Sequence, residues 1–291
     1  MKLSVRSAAV RVLLAAAFAG AVFAATSSAA SSVDSAAAKL VPAKIKSKGT
    51  VVVAADASYA PNEFLASDGH TVVGMDADLA NALFPILGLK AKVVNATFDT
   101  IIPNLGTKFD VGMSSFTDTK AREKTVNFVD YFEAGTSFFA KSSGGPKVTN
   151  LASICGLTVS VESGTTEETD AKGQSAKCTK AGKKAVNVLT FQTQSNANLA
   201  LSSGRAQVSM ADSPVAAYQV KQSHGAFKLV GQSYGVAPYG IAVPKADGTL
   251  DQAILAALKD LIKSGKYASI LGKWGIQSGA DTKPALNGAT S

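Results

Sequence analysis

The hydrophobic pattern alternates between short apolar runs and longer stretches with helical spacing. Residues 50–54 (TVVVA) form a β-branched run that predicts a buried strand. Residues 78–87 place their leucines and isoleucine on one side and predict a helix, which Pro85 should kink or shorten. Further strands are expected at 91–94 and 110–114, with a helix between them that begins near residue 100. This order predicts a mostly parallel sheet covered by helices.

The same rhythm restarts after the turn-forming segment 142–146 (SSGGP). Strands are expected at residues 158–161, 185–189, 207–210 and 239–243, with helices after 164 and over 196–202. The clearest helix is 249–263, where Thr249 and Gln252 have the spacing of a capping box. We therefore expect the α/β class, with two lobes and a ligand cleft beyond the carboxyl ends of their strands.

The N-terminus departs from this pattern. Three basic residues precede an apolar run over residues 12–24, and small residues follow it, as is typical of a secretory signal peptide over residues 1–25. Cleavage is expected near Ala24 or Ala30. The run is shorter than the roughly 20 residues that span a bilayer, so we expect export without membrane insertion. Residues 26–48 are interpreted as a linker and residues 278–291 as a flexible tail.

Composition narrows the function classes. The chain has 291 residues, of which 46% are hydrophobic and 17% charged, values that indicate a globular protein of one or two domains. The formal charge of +8 falls to +5 once the basic residues of the leader are removed, and the remaining lysines are scattered. This pattern favours an ordinary solvated surface over nucleic-acid binding.

Two histidines and two cysteines leave few options for metal chemistry. His70 and His224 lie far apart in the sequence, so a multi-histidine metal site is not expected, and no cofactor is predicted. In an oxidising compartment Cys155 and Cys178 are expected to form a disulfide, worth about 3 kcal/mol in the chain-entropy model. The alternative is a pair of buried free thiols.

The segments that follow four predicted strands carry polar chemistry. They offer one arginine, Arg122, several hydroxyls, the amides of a helix start near Thr165 and Thr166, two carboxylates including that of Asp212, and an aromatic ring. One of these segments is residues 162–166 (ESGTT), which begins with Glu162. A guanidinium pairs with a carboxylate, helix-start amides add donors, and a carboxylate accepts from an ammonium. This set of groups suits a zwitterion.

Six segments resemble the polar-amino-acid family of periplasmic solute-binding proteins (family 3), which are the receptors of ABC importers. They keep that family's order and spacing over roughly residues 46–275: GMDADLA (74–80), FDTIIP (98–103), SSFT (114–117) with Arg122, VNF (126–128) before YF (131–132), GTTE (164–167), and GRA (204–206) leading to ADSP (211–214). The resemblance implies a type II-like periplasmic-binding-protein fold, in which two doubly wound lobes are joined by two hinge strands.

The resemblance also implies roles for the groups that would hold the ligand's α-carbon. Arg122 is similar to the arginine that grips the α-carboxylate, with Thr117 and Thr166 assisting. Asp212 is similar to the aspartate that holds the α-ammonium. The alternatives are a surface arginine at a helix start for Arg122 and a helix cap for Asp212.

Further positions of the resemblance concern the ligand side chain. Tyr59 and Phe98 match the two residues that sandwich it, although both could be ordinary core aromatics. Asp56 matches a position that contacts a polar or cationic end in some relatives, and the segment at Ser115 lies near the ammonium site. Asn62 replaces a residue that is often apolar in the family, which puts the specificity in doubt.

The family's architecture gives the expected boundaries. Lobe 1 comprises residues 49–140 and a return segment at 239–277, and lobe 2 comprises 141–238. The hinge strands are expected near residues 138–141 and 238–241.

The expected function is capture of a free polar L-amino acid, leaning to glutamine or a basic one, for delivery to an inner-membrane ABC permease. We expect a periplasmic monomer that is not an enzyme. Two alternatives stay open, namely an exported dehydratase of the prephenate or arogenate type and a ligand-sensing lobe with no transporter.

Overall fold

The computed structural model describes residues 33–289. The strands are β1 (Thr50–Ala55), β2 (Ser58–Tyr59), β3 (Glu63–Leu65), β4 (Val72–Val73), β5 (Lys90–Asn95), β6 (Val111–Gly112), β7 (Val126–Lys141), β8 (Thr158–Glu162), β9 (Asn187–Phe191), β10 (Val208–Asp212) and β11 (Phe227–Pro244). The α-helices are α1 (Ser35–Lys39), α2 (Ala43–Lys48), α3 (Met75–Leu83), α4 (Phe98–Ile101), α5 (Thr166–Lys180), α6 (Gln194–Ser202), α7 (Ser213–Gln222), α8 (Leu250–Lys263) and α9 (Lys266–Trp274).

Eight strands form one mixed sheet in the order β5-β1-β6-β11-β7-β10-β8-β9. The outer strands on either side pair in parallel, whereas β7 and β11 run antiparallel to each other through the middle. Lobe 1 lies on the side of β1, β5 and β6, and lobe 2 on the side of β8, β9 and β10. The predicted α/β class, with two lobes joined by two strands, is confirmed.

The lobe change along β7 comes earlier than the sequence suggested. β7 already pairs with β10 of lobe 2 at Thr136, whose partner is Asp212. On β11 the register shifts between Tyr234 and Ala237, where the strand leaves lobe 2. The predicted hinge at residues 138–141 is therefore too late, because those residues are already inside the lobe 2 sheet.

Each lobe has its own apolar core. The lobe 1 core joins α3, α8 and α9 to the sheet and includes Leu79, Ile254 and Leu271. The lobe 2 core includes Val161, Ala171 and Met210. Helix α8 follows the predicted spacing, since its buried residues recur every three or four positions. Its predicted capping box is absent, because the Thr249 hydroxyl donates to the Leu40 carbonyl instead.

The predicted linker at residues 26–48 is wrong over its second half. Helices α1 and α2 occupy this stretch, and Ala37, Val41 and Ile45 are buried in the lobe 1 core. Ala37 belongs to α1, Ile45 belongs to α2, and Val41 lies in the turn between the two helices. The Ala-rich and Lys-rich composition concealed these buried residues. Residues 1–32, which carry the predicted signal peptide and both expected cleavage sites, lie outside the described residues.

The predicted flexible tail at residues 278–291 is also wrong for the part that the structure describes. Bridges join Ala280 to Phe132 and Leu286 to Val129, so the segment runs along β7. The Gly288 amide donates to the Asp130 carboxylate at 3.0 Å, and a Cβ at position 288 would collide with that carboxylate. A glycine is therefore needed for the tail to approach β7.

Other predictions are refined. The helix expected at residues 78–87 is α3 followed by a 3-10 turn over Phe84–Leu87, in which Pro85 lies in the first turn and breaks no helical hydrogen bond. The disulfide between Cys155 and Cys178 is confirmed.

Within residues 33–289, no helix combines the length and the apolar character that a membrane span requires.

Candidate functional site

A narrow cavity lies between the lobes. All nine residues singled out from the sequence line it: Asp56, Tyr59, Phe98, Ser115, Thr117, Arg122, Thr165, Thr166 and Asp212. Three more lining residues, Ser114, Glu162 and Glu167, received no role in the sequence analysis. The residues from lobe 1 follow β1, β5 and β6, and those from lobe 2 end or follow β8 and β10, as expected for strand ends in an α/β sheet.

Arg122 reaches across the cleft from a 3-10 turn of lobe 1. Its Nη1 donates to the Thr117 carbonyl at 2.8 Å, and its Nη2 donates to the Gly164 carbonyl of lobe 2 at 2.9 Å. The guanidinium carbon lies 5.4 Å from the ring centroid of Phe98 and 5.5 Å from that of Phe116. Two stacked rings and two carbonyls thus fix the guanidinium at the edge of the cavity.

Asp212 ends β10 on the opposite lobe. Its carboxylate accepts from the Tyr59 hydroxyl at 3.0 Å, and its amide donates to the same hydroxyl oxygen at 3.0 Å. Burial raises the pKa of Asp212 well above its ordinary value, and the nearby Glu167 carboxylate adds to the rise. A cation beside Asp212 would relieve this penalty. The side chain does not cap α7, contrary to the alternative expectation.

Glu167 is the second acid at this end of the cavity. Its two oxygens accept from the hydroxyls of Thr136, at 2.7 Å, and Thr166, at 3.2 Å. The side chain is buried in the first turn of α5, where the helix dipole favours a negative charge. The GTTE motif contained this residue, but a glutamate in a first helical turn is common enough that sequence alone gave it no ligand role.

Asp56 and Glu162 form a second acidic end, one from each lobe. Asp56 accepts from the Phe98 amide at 2.9 Å and the Ser58 amide at 3.1 Å, so its orientation is fixed. The Glu162 side chain ends β8, is 2% exposed, and its Oε1 has no hydrogen-bond partner. The two carboxyl groups line the same cavity and face each other closely enough that each affects the pKa of the other. Burial raises the pKa of both, and their mutual repulsion further raises that of Glu162.

Buried polar groups support the floor of the site in lobe 1. Ser115 has a left-handed backbone with φ of 51°, and its hydroxyl accepts from Asn62 and donates to Glu63. Its amide donates to Asp76 at 3.0 Å. Asn62, flagged from the sequence as a departure, therefore lies beneath Ser115 rather than on the cavity wall. Ser115 itself lines the cavity.

Direct contacts hold the two lobes together around the cavity. Besides the Arg122 and Tyr59 bonds, Ser163 donates to Asp99 at 3.0 Å, and the Gln194 amide donates to the Ser58 hydroxyl at 3.0 Å. The Tyr59 ring of lobe 1 also packs into an apolar cluster of lobe 2. The structure is therefore the closed form of the cleft.

The side chains that line the cavity carry more negative than positive charge. Its twelve lining residues include four carboxylates, which belong to Asp56, Glu162, Glu167 and Asp212, and a single cation, Arg122. Low dielectric makes such an imbalance costly unless a ligand supplies positive charge or protons bind. Within residues 33–289, no group of three or more histidine, cysteine or carboxylate side chains is placed to hold a metal ion.

Comparison with known proteins agrees with this geometry. Residues 51–277 match the sequence profile of bacterial extracellular solute-binding proteins, family 3. The arginine-binding protein ArgT of Corynebacterium glutamicum is 34% identical over 251 residues, covering 85% of this chain and 81% of ArgT.

Solved structures give the same result. An ancestral arginine-binding protein bound to arginine superposes with a TM-score of 0.71 at 37% identity, over 78% of this chain and 98% of that protein. An ancestral amino acid-binding protein described as a precursor of cyclohexadienyl dehydratase superposes with a TM-score of 0.71 at 34% identity, over 79% and 97% of the two chains. From its sequence, its two-lobed fold and its interlobe cavity, this chain belongs to the bacterial extracellular solute-binding proteins, family 3.

Proposed function

We propose that this protein captures a free polar L-amino acid, a basic one or glutamine, between its lobes and delivers it to an ABC permease. The relatives named above as arginine-binding proteins support the ligand class. Family membership supports a role outside the cytoplasm, and the leader predicted over residues 1–25 supports export to the periplasm with cleavage near Ala24 or Ala30. The protein would act as a monomer, and the closed form would be the one that docks on the permease.

The observation that carries the proposal is that Arg122 and Asp212, from opposite lobes, line one cavity. Arg122 would bind the α-carboxylate, with Thr117, Thr165 and Thr166 adding donors. Asp212 would bind the α-ammonium, with Ser115 nearby, while Tyr59 and Phe98 would flank the side chain and Asp56 would meet its end. Charge-assisted hydrogen bonds contribute about 1.5–3 kcal/mol each, so three or four of them, less the ordering cost, support micromolar affinity.

Replacing the arginine tests the carboxylate assignment. We expect Arg122→Ala to weaken amino-acid binding by about 100-fold or more, because two charge-assisted hydrogen bonds are lost. Titration calorimetry with the ligand found by a thermal-shift screen of the twenty amino acids measures the change. Arg205→Ala is the matched control, since Arg205 is an exposed arginine over the Phe191 ring of lobe 2. Unchanged affinity in Arg122→Ala, with a cooperative melting curve, would contradict the assignment.

Binding is proposed without catalysis, and one observation supports the dehydratase alternative. Burial raises the pKa of Glu162, so this side chain could stay protonated and act as a general acid. The dehydratase precursor among the structural neighbours is itself an amino acid-binding protein. Incubation with prephenate and arogenate distinguishes the two, because binding alone predicts no phenylpyruvate or phenylalanine. A ligand-sensing role without a transporter would show as binding with no cognate permease.

A further inference from the structure

We propose that Glu162 and Asp56, one from each lobe, together bind the cationic end of a basic side chain, so that Glu162 selects arginine or lysine over glutamine. This inference rests on the proposed binding of a free L-amino acid and names the class of ligand. Glu162 begins the polar segment that follows a predicted strand, but its sequence position predicts no ligand role, and its position opposite Asp56 comes from the fold alone.

The hydrogen bonds already made define what a ligand must provide. The backbone amides of Phe98 and Ser58 hold the Asp56 carboxylate, and the Thr165 hydroxyl donates to the Glu162 carbonyl and fixes the end of β8. The buried Oε1 of Glu162 still lacks a donor. Both carboxyl groups line the cavity, so a cationic ligand group can donate to both in place of the protons that they hold when free. An ammonium or guanidinium offers donors only.

Glutamine fits this end of the cavity less well. A carboxamide has an acceptor oxygen beside its donors, and that oxygen would face one of the two carboxylates. Glutamine therefore binds best when the pair keeps a proton, whereas a cation replaces that proton. Arginine binding should therefore release more protons than glutamine binding does.

The charges around the pair set the sign of the pH dependence. The titratable or charged groups that act on Glu162 or Asp56, or share the cavity with them, are Tyr59, Glu63, Arg122, Glu167 and Asp212. Arg122 is the one cation among them. The free pair therefore holds protons above the ordinary carboxyl range, and a bound cation lowers the pKa of both groups. Affinity for arginine should fall as pH falls, while affinity for glutamine should change less.

The decisive measurement needs no variant. Titration calorimetry of the full chain with L-arginine and with L-glutamine, in two buffers of different ionisation enthalpy at about pH 6, gives the protons released per ligand bound. We expect more protons released with arginine than with glutamine, because the α-ammonium common to both ligands acts on Asp212 in either case, and we expect tighter binding of arginine. Tighter binding of glutamine, or equal proton release with the two ligands, would overturn the inference and leave the proposed function standing. Absence of binding by any of the twenty amino acids would overturn both.

A variant tests the residue itself. Glu162→Gln keeps the side-chain shape and should weaken arginine binding about 10- to 100-fold, the loss of one charge-assisted hydrogen bond, while glutamine affinity stays within about threefold. Retained glutamine binding shows that the variant is folded. Glu133→Gln makes the same charge change at an exposed position and is the matched control. Arginine affinity unchanged in Glu162→Gln would contradict the assignment.

Discussion

Two buried aspartates illustrate how single residues make stability depend on pH. Asp118 and Asp130 lie against each other beside the C-terminal segment, and the Oδ1 of each has no donor. Burial raises the pKa of Asp118 to about 6 and that of Asp130 to about 7, and each also feels a neighbouring carboxylate. The folded state therefore favours a protonated pair. Its contribution to stability is complete below the unfolded pKa near 4 and is lost as pH rises through about 6–7.

An amide in place of one aspartate should remove this dependence. We expect Asp130→Asn to melt at a higher temperature than the wild type at about pH 8, with the difference shrinking towards about pH 5. The amide supplies the missing donor without a second charge. Melting curves across this range test the prediction, with Glu133→Gln as the control for a lost surface charge. A difference that does not vary with pH would contradict it.

At the residue scale, the sequence predicted most of the residues that line the cavity but missed three of them. Nine predicted residues line the cavity because strand ends and family motifs mark them directly. No ligand role was predicted for Glu162 or Glu167, because a glutamate at a strand end or in a first helical turn is common. The contact of Asp118 with Asp130 could not be predicted, because it joins a loop to β7 and depends on tertiary packing.

Helix α5 brings Thr166 and Glu167 to the cavity, yet it has little apolar surface. Its buried residues are Glu167, Ala171, Gln174 and Cys178 over fifteen positions. The disulfide ties this helix to the segment before β8, and it closes a loop of 23 residues. The covalent link therefore replaces apolar packing that the helix lacks.

Removing the disulfide should destabilise the protein. We expect the double variant Cys155→Ala and Cys178→Ala to lose about 3 kcal/mol of unfolding free energy, as the chain-entropy model gives for a loop of this size. Urea unfolding measures the loss, and a reducing agent should lower the stability of the wild type but leave the double variant unaffected. An unchanged urea midpoint would show that the link has no stabilising role.

At the element scale, composition gave the wrong prediction for two segments whose structure depends on packing against lobe 1. Residues 35–48 resemble a linker by composition, but three apolar residues spaced by four allow α1 and α2 to cover lobe 1. The segment 280–289 has no periodicity at all and is ordered by bridges and amide bonds to β7. Hydrophobic periodicity predicted the long helix α8 and the buried strands well, because in those elements the apolar positions of the sequence are the ones that pack into the core.

At the scale of the whole molecule, lobe 2 is one uninterrupted piece of chain and lobe 1 is not. Residues 142–226, between β7 and β11, all belong to lobe 2. Lobe 1 combines segments from before β7 with β11 and the segment after it. The central pairing of β11 with β6 in lobe 1 joins Ala242 to Gly112, whereas β8 and β9 in lobe 2 join Thr158 to Asn187.

This division has a consequence for the order in which the molecule assembles. Contacts between distant parts of a chain carry a larger closure entropy and form more slowly. During refolding we expect amides of β8, β9 and β10 to gain protection before those of β6 and the last half of β11. Pulse-labelled hydrogen exchange followed by peptide mass spectrometry resolves the two groups. Earlier protection of β6 would mean that the local strands of the first lobe nucleate the molecule on their own.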